Sequence, residues 1–597
     1  MKIRHFLVLA FLSASAQAGE PYAIEVVDSR TARGVPLVEL RTVNEIKLVT
    51  DSRGIAAFDE PGLMGRKVFF HVSSHGYDIA KDGFGYRGKA LDVVAGGRGR
   101  ISIDRVNIAE RLYRVTGAGI YRDTVLVGDK APIAQPLLNA GVLGSDSVLT
   151  AVFQGKVHWI WGDTNRAGYP LGNFHSPTAS SRLPSDGGLD IETGVDLDYA
   201  VDSEGFAAPS ARMPGDGPTW LDGLIVLKDA SGIERMFAAF AKIKPPLEIY
   251  ERGLAEFDPK TRRFARVAPI PLDAPAFPFG HPFLHRSEGT EYVYFCDPYP
   301  LVRVRADIED LAHPERFEVF TCLLPGSNLD RPEIERAPDG SPRYAWRRGA
   351  RALDGPTQAR LVKKGLLREG DALLQFQDVD AGRRVVAHRG STYWNEHRKR
   401  WVMIAVEAGG ESSYLGEVWF AEADTPLGPW VYARKVLTHN KYSFYNPKQQ
   451  PMFAKEDGRV IFFEGTYTVT FSGNPNPTPR YDYNQVLYKL DLADPRLNLP
   501  VPIYEVDGRY MPKSPGQRVA FFALERPRVG SVPVGDPPLF FGLPVGQEGP
   551  TTTVLYEQTI KNGTKVFITE QPDPALGPSK PVARVWRNPL RMVLPPG

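Results

Sequence analysis

The chain is expected to be all-β, with an N-terminal β-sandwich, a central five-bladed β-propeller and a small C-terminal β module. Three observations lead there. Gly and Pro number 57 and 52 of 597 residues and are spread along the whole length, which suits many short strands joined by turns. The apolar runs are short and rich in Val, Ile, Phe and Trp, as buried strands are. One hairpin-like unit recurs five times from about residue 145 onward, the mark of a radial or stacked repeat.

A chain of this length needs more than one domain. Its 72 Lys and Arg nearly balance 70 Asp and Glu, for a net charge of +2, which argues against phosphate-driven binding; no nucleic-acid partner is expected. Lys2 and Arg4 precede an apolar run over 6–12, and Ala16-Gln17-Ala18 follows. This is the pattern of a signal peptide over 1–18, cleaved after Ala18. The run is too short for a membrane span, and no other stretch offers one. A soluble, monomeric protein, secreted or periplasmic, is the expectation.

Residues 19–110 read as short strands, IEVVD, LVELRTV, IAAF and KVFFHVSS, each pair separated by a polar turn. The words over 34–38, 50–58 and 71–77 resemble a carboxypeptidase regulatory-like, transthyretin-type domain. That resemblance implies an accessory module without chemistry of its own.

The propeller is expected over 116–494; two sandwiches in series are the alternative. The clearest unit is 400–430, where the strand Trp401 to Val406 runs into an acidic turn with Glu407 and Glu411 and out through GEVWFAEA. The second strand of each unit is read as ending at Asp163, Lys242, Asp297, Glu407 and Glu464. The entries carry Asp146, Asp222, His281, His388 with Arg389, and Asn446 with Lys448. If the five units surround one axis, these groups converge on one face as a polar ligand site.

Ser145-Asp146, the WGDT at 161–164 and the GEVWFAEADTPLGPW at 416–430 resemble the five-bladed propeller glycoside hydrolases that act on furanosides and related sugars. The resemblance implies a carbohydrate substrate and three acids. An aspartate on the first blade, Asp146 or Asp163, would be the base. A second, Asp222 or Asp297, would tune pKa, and a glutamate on a later blade, Glu407, Glu411 or Glu464, would be the acid. Cleavage needs one group to protonate the leaving oxygen and another to activate water or attack the sugar. A ring of like charges would hold one carboxyl protonated. The competing reading is a non-catalytic propeller that binds glycans or cell-surface partners.

Substrate contacts are expected from His281, His388, Arg389 and Asn446, and from the 464–485 insertion through Tyr467, Arg480, Tyr481 and Asp482. Against this, the tyrosines of a Pro-rich loop often only pack on the rim. Glu417 and Glu422 alternate in an exposed-looking strand and are expected to be solvated. No cofactor is expected; a calcium in the channel, held through water by His281 and His388, is the one alternative. Cys296 and Cys322 either pair or stay as buried thiols. Residues 495–597 read as a Pro-rich β module.

Overall fold

The computed structural model describes residues 20–586, except 328, 339, 369–373, 424, 429, 507–508, 512–527, 530–531, 534–539, 547–551, 562–564 and 570. The expected leader over 1–18 lies outside the described residues. The chain is all-β and divides into two compact units. One unit comprises residues up to Ser73 with Ile79–Asp104 and Tyr121–Ala131; the other comprises Ser74–Asp78, Arg105–Ile120 and Pro132–Gly597.

In the first unit, Tyr22–Asp28 lies between Ile55–Phe58 and Arg98–Arg105. A second sheet runs Lys47–Val49, Glu39–Thr42, Arg66–Ser73, Gly88–Val93. Phe58 and Phe70, one from each sheet, meet edge to face with centroids 5.2 Å apart.

In the second unit five sheets follow one another, antiparallel except where Leu374–Asp378 joins Trp430–Thr438 in parallel at the fourth. The first is built from Val148–Phe153, Lys156–Trp161, Thr178–Arg182 and Asp198–Tyr199. The second uses Thr219–Lys228, Glu234–Lys244, Glu248–Asp258 and Arg263–Pro269. The third begins Phe283–Ser287, Thr290–Phe295, the fourth Ala387–Asn395, Arg400–Glu407 and the fifth Ser443–Gln449, Val460–Thr468. The fifth sheet is completed by Glu110–Arg114, which precedes the first sheet in sequence and pairs with Asn484–Asp491. That pairing ties the two ends of the repeat together and covers an edge that would otherwise be open.

The sheets pack face to face in order. Phe153 and Ile160 of the first meet Met236 and Phe240 of the second. Phe237 and Leu254 of the second meet Val293 and Phe295 of the third. Phe283 and Tyr294 of the third meet Trp401, Met403 and Trp419 of the fourth. The Gln449 amide of the fifth donates to the Ser391 carbonyl of the fourth at 2.8 Å, and Phe462 of the fifth packs with Trp159 of the first. The near-continuous apolar run at 401–406 is explained by this sandwiching, since Arg400–Glu407 is buried at every position.

Two sequence expectations change here. Glu417 and Glu422 are not solvated: every residue of Glu417–Ala423 is buried, because the strand is central in its sheet and covered on both faces. The charges are met by cations, Lys435 Nζ at 2.8 Å from Glu417 and Arg398 on Glu422. Cys296 and Cys322 are both free and buried. In the C-terminal stretch, Val501–Val506 pairs with Phe540–Gly542, and Thr552–Thr559 lies between Lys565–Ile568 and Ser579–Trp586.

Candidate functional site

A cavity of about 380 Å³ is lined from all five sheets. The first sheet gives Asp146 and Asp163, the second Trp220 and Asp222, the third His281 and Asp297, the fourth His388 and Arg389, and the fifth Tyr445, Asn446 and Phe471. Local geometry explains the acids. Val148–Phe153 and Lys156–Trp161 form a hairpin in register, Val148 opposite Trp161. The residues flanking its open end therefore become neighbours: the Asp146 amide donates to the Asp163 carbonyl at 3.1 Å, and the Gly162 amide to the Asp146 carbonyl at 3.1 Å. The inner strands of the second, fourth and fifth sheets shift register at Asp222/Ile225, Ala387/Gly390 and Tyr445/Lys448. Such bulges re-aim the side chains beside them, here Asp222, Arg389 and Asn446, at the cavity.

Asp146 accepts from the hydroxyls of Tyr445 at 3.1 Å and Tyr483 at 3.0 Å. Burial first, and the charge of Asp163 second, push its carboxyl up to about 7. Asp163 accepts from the Trp220 indole N–H at 3.1 Å, and burial raises it too. Asp222 is held by the amides of Gly223 at 2.9 Å and Gly280 at 2.7 Å. Arg389 lies between two acids, Nε 3.3 Å from Asp297 and Nη1 3.9 Å from Asp222. Burial still outweighs the guanidinium, so Asp297 is pushed up to about 6 and Asp222 is also raised. His281 is buried with an unpartnered Nδ1, and burial drives its pKa well down. His388 is lowered by burial and by Arg389. Asn446, at φ 52°, donates to Ser147 Oγ at 2.6 Å.

The structure thus gathers Asp146, Asp163, Asp222, Asp297, His281, His388, Arg389 and Asn446 around one cavity. It does not bring the candidate glutamates there. Glu407 is buried and locked by Arg383 Nη2 at 2.8 Å and the Trp419 indole at 2.8 Å. Glu411 is exposed on its turn, 3.6 Å from Arg383. Glu464 is fully buried in mid-strand, opposite Lys448, with the Gln450 amide donating to it; burial pushes it up to about 8. None of these three lines the cavity.

Within the 464–485 insertion, residues 469–480 are part-buried or exposed, while the candidate side chains Tyr467, Tyr481 and Asp482 are engaged in packing and hydrogen bonds. The Tyr467 ring stacks on Tyr442 at 4.0 Å, and its hydroxyl meets His75 at 2.9 Å and Thr478 at 3.0 Å. Tyr481 lies under the Arg114 guanidinium. Asp482 accepts from the Tyr442 hydroxyl and the Val469 amide. The Arg480 carbonyl accepts from Asn484, and Arg480 does not line the cavity. From the same region Phe471 reaches the cavity and Tyr483 reaches Asp146, contacts that the sequence reading did not single out. The nearest sequence signals were Tyr445, one position before Asn446, and the alternating YDYN at 481–484. Among the described residues, no cluster of three or more His, Cys, Asp or Glu side chains is placed to hold a metal ion.

Similar solved structures include the GH43_1 enzyme from Xanthomonas citri complexed with xylotriose, at 11% identity and TM-score 0.28, covering 64% of this chain and 94% of that one. An endo-arabinase from Bacteroides thetaiotaomicron matches at 10% identity and TM-score 0.29, covering 60% and 98%. An exo-β-1,3-galactanase from Phanerochaete chrysosporium, with galactose, matches at 9% identity and TM-score 0.30, covering 79% and 93%. No protein-family model and no curated protein matches the chain.

Gly162 gives a first test of that cavity. A Cβ built on it falls 1.8 Å from Asp146 Oδ1, whereas one on Gly168 meets nothing within 4 Å. Gly162→Ala is expected to displace the carboxylate and lower activity about 100-fold, the scale of a 1 Å misplacement. Gly168→Ala should leave the rate unchanged. Initial rates and melting midpoints of both variants check this.

Proposed function

We propose that the second unit is a five-bladed β-propeller of glycoside hydrolase type, cleaving a glycosidic bond in a polysaccharide at this cavity. One observation carries the reading: four aspartates from three sheets face a single cavity, in two pairs, and burial raises all four, Asp146 to about 7 and Asp297 to about 6. Asp146 is held protonated by burial and by Asp163, and gives its proton to the leaving oxygen as the C–O bond breaks. Asp297 and Asp222, beside Arg389, take the proton of the water that adds to the anomeric carbon. The aspartate pair replaces the late-blade glutamate that the family resemblance implied. Tyr445 and Tyr483 position Asp146, and Trp220 positions Asp163.

The test is release of reducing ends from arabinan, galactan and uronic-acid polymers, comparing the wild type with Asp163→Asn. Release by the wild type and its loss in the variant support the reading. Binding without release supports a glycan-binding propeller instead. A second expectation concerns pH. The base must be ionised and the acid protonated, so kcat/KM should fall below about 6, set by Asp297, and above about 7, set by Asp146. A flat profile from pH 5 to 9 would contradict the assignment.

From the leader pattern over 1–18 we infer an exported enzyme, with the N-terminal unit as an accessory transthyretin-type module. No helix among the described residues is long and apolar enough to cross a membrane.

A further inference from the structure

Beside the acidic cavity lies a larger one, of about 670 Å³. The two share a wall of Trp220, Asp222, Asp297, His388 and Arg389. The larger cavity also carries Arg252, Arg351, Phe277 and Phe279. Its cations differ from the others nearby. Elsewhere on the second sheet Arg235 pairs with Glu256 and Arg266 with Glu251. Arg252 has no carboxylate partner among the described residues, and its Nε is buried without a hydrogen bond. Its guanidinium lies over the Phe277 ring, 4.7 Å from the centroid. Arg351 donates to the Asp273 carbonyl at 3.3 Å and likewise meets no carboxylate among the described residues.

A part-buried guanidinium without a counter-charge is costly, and the cost is offset if a ligand brings the anion. Phe279, 37% exposed, offers a face on which a sugar ring can stack. We infer that the larger cavity is a subsite for a sugar bearing a negative charge, either a uronate carboxylate or a phosphate or sulfate ester, bound by Arg252 with Arg351 in support. The inference rests on the reading of the acidic cavity as a sugar-cleaving site and adds a substrate class: a charged polysaccharide lying across both cavities, its anion on Arg252.

The test is calorimetric binding to the full-length chain. Digalacturonate is compared with neutral galactobiose, and galactose 6-phosphate and galactose 6-sulfate with galactose. Each charged sugar of the correct source should bind at least about tenfold tighter than its neutral counterpart. Arg252→Gln should erase the preference, Arg252→Lys should keep part of it, and Arg351→Gln should weaken it. Should Arg252→Gln fail to fold, the Lys and Arg351 variants decide. Equal affinities in the wild type, or a preference untouched by the folded variants, would overturn the inference. Whether uronate or ester shows the preference names the source. Charge preference without cleavage of any polymer would sink the hydrolase reading and leave this subsite standing; cleavage of neutral polymers with no charge preference would do the reverse.

Discussion

Replacing Asp146 by Asn should abolish hydrolysis while making the protein more stable in alkali. The Asn side chain keeps an oxygen to accept from Tyr445 and Tyr483 but has no proton to give the leaving group. A loss of about 10³-fold in kcat/KM is expected, within the range of positioned proton transfer. The stability effect follows from linkage. Burial and Asp163 push the carboxyl from 3.8 up to about 7. Between those values the folded chain holds a proton that the unfolded chain has released, so stability falls as pH rises through this window. Above about 7 the folded state carries the full cost of a buried carboxylate. Asp146→Asn removes that cost and should raise stability by about 2–4 kcal/mol at pH 8, with the gain vanishing toward pH 4. Denaturant unfolding at the two pH values, with rates on the same samples, measures both halves.

Removing Arg383 should have the largest stability effect. Its guanidinium holds Glu407, with Nη2 2.8 Å from Oε2, and also approaches Glu417 at 3.7 Å. Both carboxylates are almost wholly buried. Arg383→Ala leaves Glu407 as a charge inside the fourth sheet with, among the described residues, only the Trp419 indole to answer it. Loss of one partner of a buried pair costs about 3–5 kcal/mol. Glu407→Gln, which keeps an acceptor for Trp419, should cost less and leave kcat of the folded fraction unchanged. A rate collapse in Glu407→Gln with an unchanged fold would return Glu407 to the chemistry.

The difference between the aspartates and the glutamates shows how far the sequence was legible. Asp163 and Asp297 each stand two positions beyond their strands, which end at Trp161 and Phe295. Both lie beyond the ends of those strands and line the cavity. Glu407 is the last residue of its strand, and Glu464 sits in the middle of Val460–Thr468. Both are held in the ladder and directed into sheet interiors. In the sequence all four look alike, a charge after an apolar run. Strand ends differ by one or two residues, and that difference decides which side of the pleat a side chain takes. The entry positions were easier to read, since Asp146, Asp222, His281, Arg389 and Asn446 each precede or interrupt an inner strand. The partners of the acids were not legible, because Tyr445, Tyr483, Trp220 and Arg389 meet them across separations that only the packing of the sheets sets. In the insertion, Tyr467 and Tyr481 went to packing on Tyr442 and Arg114, while Phe471 and Tyr483 went to the cavity side.

The most direct measurement is a crystal structure of Asp146→Asn soaked with an oligosaccharide of whichever polymer the wild type cleaves. The glycosidic oxygen should lie within hydrogen-bond reach of the residue 146 side chain, with the anomeric carbon turned toward Asp222 and Asp297. An oligosaccharide bound elsewhere, or one whose glycosidic oxygen meets none of the four aspartates, would contradict the account.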